Sequence, residues 1–216
     1  MHIADGLISP QTYLPALAVA APLWWVALRK ARHQSEHLLP RLAVFTALAM
    51  VLNTLMLPLP GGTSGHLIGV SILAMVFGPW IAFLAYSLML LLQALVLGAG
   101  GITALPINAL AIGFVGGWIT WGLFRLLRPL APKLAIGIAT FCSVLLSATL
   151  IAVVLGVQPV IATTADGAPL FFPFGLAITL PAIVIPHAFI ALAEAMITML
   201  IVGHAQRRKW VEVQPS

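Results

Sequence analysis

Residues 79–97 read Pro79-Trp80-Ile81-Ala82-Phe83-Leu84-Ala85-Tyr86-Ser87-Leu88-Met89-Leu90-Leu91-Leu92-Gln93-Ala94-Leu95-Val96-Leu97. Nothing in this stretch is charged, and its length is close to the roughly 20 residues a helix needs to cross hydrocarbon. Proline in first place suits the first turn of a helix, where its missing N–H has no intrahelical acceptor to lose. The rest of the chain has the same character. Of its 216 residues 62% are hydrophobic and 7% charged, with a mean hydropathy of +1.12, whereas a soluble domain carries about 25% charged residues. The composition predicts an all-α polytopic membrane protein, residues 1–216 forming one integral-membrane domain.

Working outward from residues 79–97, seven spans are expected: Thr12–Leu28, Leu42–Leu57, His66–Gly78, Pro79–Leu97, Ala104–Phe124, Leu134–Gly156 and Ala182–Gly203. The third is short for a crossing, so it needs shelter from protein or an ordered loop. The first holds Pro15 and Pro22, which predicts a kink. The segment Asp166–Pro181 holds Pro169, Pro173 and Pro181 with Phe171, Phe172 and Phe174, and is expected to dip into the interface without crossing.

Seven spans put all ten basic residues on one side. Arg29, Lys30, Arg32 and Arg41 follow the first span; Arg125, Arg128 and Lys133 the fifth; Arg207, Arg208 and Lys209 the seventh. The positive-inside rule makes that side cytoplasmic, with the N-terminus outside and the C-terminus inside. The formal charge of +5 therefore reports topology; no nucleic-acid partner is expected. The single cysteine, Cys142, excludes an intrachain disulfide framework and a cysteine-based zinc site. No basic leader or A-x-A cleavage pattern is visible, so no removable signal is expected.

Two features gather on the outer side. The chain opens Met1-His2-Ile3-Ala4-Asp5-Gly6. A histidine in second place offers a metal three nitrogens from one dipeptide: the Met1 α-amine, the Met1–His2 peptide nitrogen and the His2 imidazole. Amine and amide close a five-membered chelate ring, and amide and Nδ1 a six-membered one. The three lie nearly in a plane and leave one corner of a square open, an arrangement that suits Ni(II) and Cu(II) and can be imposed on Co(II). His66, after the turn-forming Pro60-Gly61-Gly62-Thr63-Ser64-Gly65, is the candidate fourth ligand. The bland alternative is a frayed terminus with an ordinary histidine. The amine must be free, and Met1 should survive processing because His2 is large.

Asn53, Gln93, Asn108 and His187 are expected near the outer ends of their spans. A lone amide in a membrane helix is ordinarily interhelical glue; the common depth of these four favours orienting the metal-binding groups. Glu194 lies deeper, must face protein, and is expected either protonated or bonded to His187. His33, His37 and His204 read as solvated surface. Small residues recur every four positions at Ala109, Gly113 and Gly117, and at Ala135, Ala139, Ser143 and Ser147, marking faces for close packing within the fold or against a partner.

Taken together these blocks resemble the CbiM/NikM family, the substrate-binding membrane (S) components of cobalt and nickel energy-coupling factor (ECF) transporters, a class of ABC importer. The resemblance rests on Met1-His2-Ile3 with Asp5-Gly6-Leu7, Gly61-Gly62-Thr63-Ser64-Gly65-His66, Phe77-Gly78-Pro79, Leu90-Leu91-Leu92-Gln93-Ala94-Leu95, Gly100-Gly101-Ile102-Thr103, Pro186-His187-Ala188 and Glu194-Ala195-Met196-Ile197-Thr198. It implies a seven-helix protein in a prokaryotic cell membrane that holds one Ni(II) or Co(II), as transported substrate, through the Met1 amine, the His2 amide and imidazole, and the His66 imidazole. It implies a transmembrane coupling subunit, two ATPase subunits and often a small accessory membrane protein. Ala4-Asp5-Gly6, Gly65-His66-Leu67 and Ala99 depart from blocks found in many cobalt members, which tilts the reading toward nickel.

No Walker motif occurs in these residues, so ATP hydrolysis is assigned to partners; the chain is read as neither an enzyme nor a holder of an organic cofactor. Two other classes fit less well. A secondary metal transporter would place its site at the midplane, often within inverted repeats. An intramembrane metalloenzyme would need an open coordination position and a base, for which only His187 and Glu194 are candidates.

Overall fold

A computed structural model describes residues 2–32, 38–54, 57–59, 63–208 and 210 of the chain. Met1, His33, His37, the turn residues 60–62 and Lys209 lie outside the described residues. Among the described residues the regular structure is helical apart from one small antiparallel hairpin and an isolated bridge between Thr163 and Pro169. Five helices are long and apolar enough to cross a bilayer: Pro10–Arg32, Pro79–Leu97, Leu105–Leu127, Pro132–Ile161 and Leu176–Arg207. Two shorter ones complete the seven predicted: α2 (Leu38–Thr54) and α3 (Val70–Phe77).

The first helix, α1 (Pro10–Arg32), is unbroken through Pro15 and Pro22. After α2, strands β1 (Leu57–Leu59) and β2 (Thr63–Gly65) pair with Leu57 opposite Gly65. The two strands flank the stretch expected to turn, and β2 leads directly into the loop that carries His66. The eight residues of α3 are all buried. They span only about 12 Å at 1.5 Å per residue, so α3 is a half-crossing enclosed by other helices. Backbone that is not helical at membrane depth is tolerated where protein covers it, as the sequence required of this short segment.

Helix α4 (Pro79–Leu92) continues into a π-helical turn, Gln93–Leu97. The next crossing has three parts: α5 (Leu105–Asn108), a π-helical stretch Ala109–Gly116, and α6 (Gly117–Leu127). Gln93 opens the first π segment and Asn108 immediately precedes the second. A π turn inserts an extra residue and rotates the side chains after it, a device frequent at functional sites. Helix α7 (Pro132–Gly156) is followed by a short turn, α8 (Gln158–Ile161), and then by α9 (Leu176–Arg207). The last helix begins six residues earlier than predicted. Leu176–Pro181, expected in the non-crossing segment, are its first turns, because Pro181 and Pro186 are carried inside it.

The small-residue stripes prove to be internal. Ser143 Oγ donates to the Gly116 carbonyl at 2.7 Å and Ser147 Oγ to the Ala111 carbonyl at 3.0 Å. A Cβ on Gly116 would fall 2.8 Å from Ser147 Oγ. The two stripes therefore pack against each other or their neighbours, so of the two uses left open it is packing within the fold that they serve. The hydroxyls bond to carbonyls that the π segment displaces from ordinary helical pairing.

All nine described lysines and arginines cluster at helix ends: the last turn of α1, Arg41 at the start of α2, the α6–α7 turn, and the end of α9. The α6–α7 turn and the end of α9 meet, with Arg128, Lys133 and Arg207 around one groove. Lys30 Nζ lies 5.7 Å from the Trp80 ring, tying the end of α1 to the start of α4. The opposite end holds the N-terminal segment and the loop after the hairpin.

Candidate metal site

Residues 2–9 do not fray. They form a plug that turns at Asp5-Gly6, where the chain is exposed, and seats Ile3 and Ile8 almost fully buried on either side of the turn. Three polar clamps hold the plug. Asn108 presents its amide to Ile3 as a neighbouring strand would: Ile3 N–H donates to Oδ1 at 3.0 Å, and Nδ2 donates to the Ile3 carbonyl at 3.0 Å. The Asp5 carboxylate accepts from Ile102 N–H at 2.9 Å and Thr103 N–H at 2.8 Å, and from the Thr103 hydroxyl. At the far end Ser9 N–H donates to Gln158 Oε1 at 2.9 Å. The bond from the Thr103 hydroxyl, helped by the two backbone N–H groups, holds the Asp5 carboxyl below the usual carboxylate range despite its partial desolvation.

The loop at 98–104 is shaped to receive this plug. Gly100 has φ +82°, a left-handed conformation that costs other residues roughly 1–2 kcal/mol. A Cβ there would sit 3.4 Å from His2 Cβ, and one on Gly101 would fall 2.5 Å from the Asp5 amide nitrogen. These glycines let backbone close over His2 and Asp5 from outside.

From the other side comes the loop 66–69. His66, expected at the outer start of the third span, is only 2% exposed. The cause is Glu194. Its two carboxylate oxygens accept from Ile68 N–H at 2.7 Å and Gly69 N–H at 2.8 Å, which draws the loop into the bundle against the middle of α9. The expected Glu194–His187 bond is absent, because both Glu194 oxygens are used this way and His187 Nδ1 donates to the Ile183 carbonyl at 2.7 Å. Gly69, at φ +77°, makes the turn into α3, where a Cβ would fall 2.8 Å from Ala49 Cβ.

The result brings His2 and His66 together, with ring centroids 4.4 Å apart and planes inclined at 52°. His66 Nδ1 lies 3.1 Å from the Leu67 carbonyl. A carbonyl can only accept, so Nδ1 carries the proton and Nε2 the lone pair. Burial pushes the His66 imidazole down to about 3, and burial together with the neighbouring His66 lowers His2 well below the ordinary value. Both rings are thus neutral, the form in which histidine binds a metal. His187, fully buried, is within electrostatic range of His66. Its Nδ1 bond leaves a lone pair on Nε2, which has no hydrogen-bond partner.

Asn53 and Gln93 are paired in the buried interior. Gln93 Nε2 donates to Asn53 Oδ1 at 2.9 Å, and Asn53 Nδ2 to the Tyr86 hydroxyl at 3.1 Å. Gln93 Oε1 is buried without a partner. Among the described residues no cluster of three or more His, Cys, Asp and Glu side chains could hold a metal. Met1, the predicted source of the amine, is outside the described residues.

Residues 2–211 match the family described as CbiM, cobalt uptake substrate-specific transmembrane region. The chain belongs to this family. Among relatives of this CbiM-family chain, the probable fused nickel transport protein LarMN of Lactiplantibacillus plantarum is 37% identical over 96% of the chain and 65% of its own length. The fused nickel transport protein NikMN of Rhodobacter capsulatus is also 37% identical, over 96% of the chain and 62% of its own length. The chain thus spans a little under two thirds of each. A crystal structure described as a truncated transition metal transporter superposes with a TM-score of 0.92 at 35% identity, covering 96% of this chain and 99% of that one. The fold of this multi-pass membrane protein is therefore that of a transition metal transporter.

Several residues that build the CbiM-family site were not singled out by the sequence. Gln158 and Tyr86 are buried polar groups in apolar surroundings, a signal present but unread. Asp5 entered only through the family resemblance, although an Asp-Gly pair three residues past a candidate ligand is a turn signal. Phe172 N–H donates to the Leu7 carbonyl at 3.2 Å, a backbone contact that no side-chain pattern encodes.

Proposed function

We propose that this chain is the substrate-capturing membrane subunit of an ATP-driven importer, binding Ni(II) or Co(II) at the end of the bundle where His2 and His66 meet. The ligands are the Met1 α-amine, the deprotonated His2 amide nitrogen, His2 Nδ1 and His66 Nε2. The 4.4 Å separation of the two rings carries this reading. With a metal–nitrogen distance of about 2.0 Å and about 1.1 Å from nitrogen to ring centroid, imidazoles on adjacent corners of a square plane lie roughly 4.4 Å apart, and on opposite corners roughly 6.2 Å. The dipeptide chelate puts the His2 amide between the amine and Nδ1. The open corner is then adjacent to Nδ1, the position that His66 would take.

Strong in-plane nitrogen donors suit Ni(II), and the two 37% identical relatives are named as nickel transport proteins. Nickel is therefore the favoured cargo. The site end faces outward and the cationic end the cytoplasm, on the positive-inside rule. ATP hydrolysis belongs to two partner ATPases acting through a transmembrane coupling subunit. Two relatives are named as fused proteins and are longer than this chain, which favours a small accessory membrane partner as well. The capture site closes beneath the 98–104 loop, and reorientation of the whole subunit is the step that delivers metal inward. X-ray absorption on the nickel-loaded protein tests the site: four nitrogen ligands in a near-planar field are expected, and a sulfur-ligated or six-oxygen shell would rule it out.

A further inference from the structure

At the cationic end, away from the metal site, a groove of about 550 Å³ lies where α7 packs between α6 and α9. Its wall is apolar: Ile136, Met196 and Leu200 line it, and the last two are 51% and 73% exposed on the outer face of α9. Its mouth is basic. Arg128, Lys133 and Arg207 border it, and among the described residues none that lines it is acidic. The Arg128 guanidinium stands 5.9 Å over the Phe124 ring.

Gly203 is the second observation. It sits inside α9, where glycine costs roughly 1 kcal/mol relative to alanine. Neighbours do not require it, since a Cβ there would meet nothing within 4 Å. Its missing side chain keeps the groove open between the apolar wall and the basic mouth.

We propose that this groove binds one anionic phospholipid of the surrounding bilayer, its phosphate held by Arg128, Lys133 and Arg207 and an acyl chain lying along Met196 and Leu200. Basic pockets between helices at the cytoplasmic face select anionic headgroups by charge, while the chain adds apolar contact that a free phosphate cannot supply. A zwitterionic lipid gains the second and little of the first. The site is independent of metal capture, being built from the other end of α6, α7 and α9.

Native mass spectrometry of the purified protein, delipidated and returned to phosphatidylglycerol, cardiolipin or phosphatidylethanolamine, tests this. The expected result is a preference on the order of tenfold for the anionic lipids, undiminished by millimolar inorganic phosphate. Replacing Arg128, Lys133 and Arg207 together by Gln should abolish the preference. The charge-preserving pair Arg128→Lys and Arg207→Lys should retain it. Gly203→Trp should lower occupancy by every lipid. Unaltered nickel binding in each variant certifies its fold. Equal retention of anionic and zwitterionic lipids by the wild type overturns the proposal. So does an unchanged preference in the triple variant. So does loss of a coupling protein from that variant without loss of lipid, which would assign the groove to a protein partner.

Discussion

Replacing Asn108 by Leu isolates the clamp on the residue that follows His2. The side chains have similar size, but leucine can make neither of the two 3.0 Å hydrogen bonds to Ile3. Ile3 is 1% exposed, so its N–H and C=O would stay buried without partners whenever the plug is docked. Each such group costs about 1–3 kcal/mol, giving roughly 2–6 kcal/mol against docking. The Asp5 and Ser9 clamps survive and allow some relaxation, so the lower bound is the figure to use. The chelate forms only in the docked state, and each 1.4 kcal/mol is a factor of ten in affinity. About 2 kcal/mol predicts nickel binding weakened roughly 30-fold. The assay is competition with a chromophoric chelator in detergent, with tryptophan-monitored unfolding as a control on the helices. Affinity within twofold of wild type, in a variant that unfolds normally, would refute the idea that the plug is held in place for metal.

Three further outcomes are expected. His66→Ala should abolish nickel binding measured by calorimetry; because the ring is buried, its unfolding temperature should also fall, by an amount matching about 1–3 kcal/mol, and retained affinity would remove His66 from the site. Glu194→Gln keeps the shape but turns an N–H donor toward one of the two loop N–H groups now held by carboxylate oxygens; a loss of about 2–4 kcal/mol in stability and weakened nickel binding should follow, and wild-type values for both would show that the loop is held otherwise. Folded-state imidazole values lowered by burial, to about 3 for His66, mean that the unfolded chain binds more protons between there and pH 6.5, so stability is full above pH 6.5 and falls as pH drops below it. The His66 ring signals in NMR should accordingly stay unshifted from pH 7.5 to 5, where a midpoint near 6.5 would contradict the burial argument.

Much of this was legible from the sequence because lipid imposes strong rules. Uncharged runs near 20 residues located the long helices, and clustering of the cations ordered their ends. Helix boundaries moved where proline is compatible with the helix, as at Pro181 and Pro186 in α9. The His2–His66 pair could be read because a second-place histidine has unusual coordination chemistry. What stayed hidden was how depth is controlled. Glu194 works on backbone N–H groups more than a hundred residues away, and such a pairing leaves no periodic trace. The small-residue stripes were ambiguous for a related reason: spacing marks a face for close approach but does not name what approaches. The π segments after Leu92 and Asn108 have no recognised composition, so their placement beside Gln93 and Asn108 left no mark in the sequence.

The account stands or falls on the free amine of Met1. Adding one residue before Met1 preserves every native side chain but converts that amine to a peptide nitrogen and places His2 third. A third-place histidine can fill four corners by itself and exclude His66. Nickel uptake should be measured in cells expressing the extended protein with its partner subunits, with membrane levels checked by immunoblot and the intact N-terminus confirmed by mass spectrometry. The account predicts loss of uptake, with a one-residue extension after Ser216 harmless. Normal uptake by the N-extended protein would contradict it.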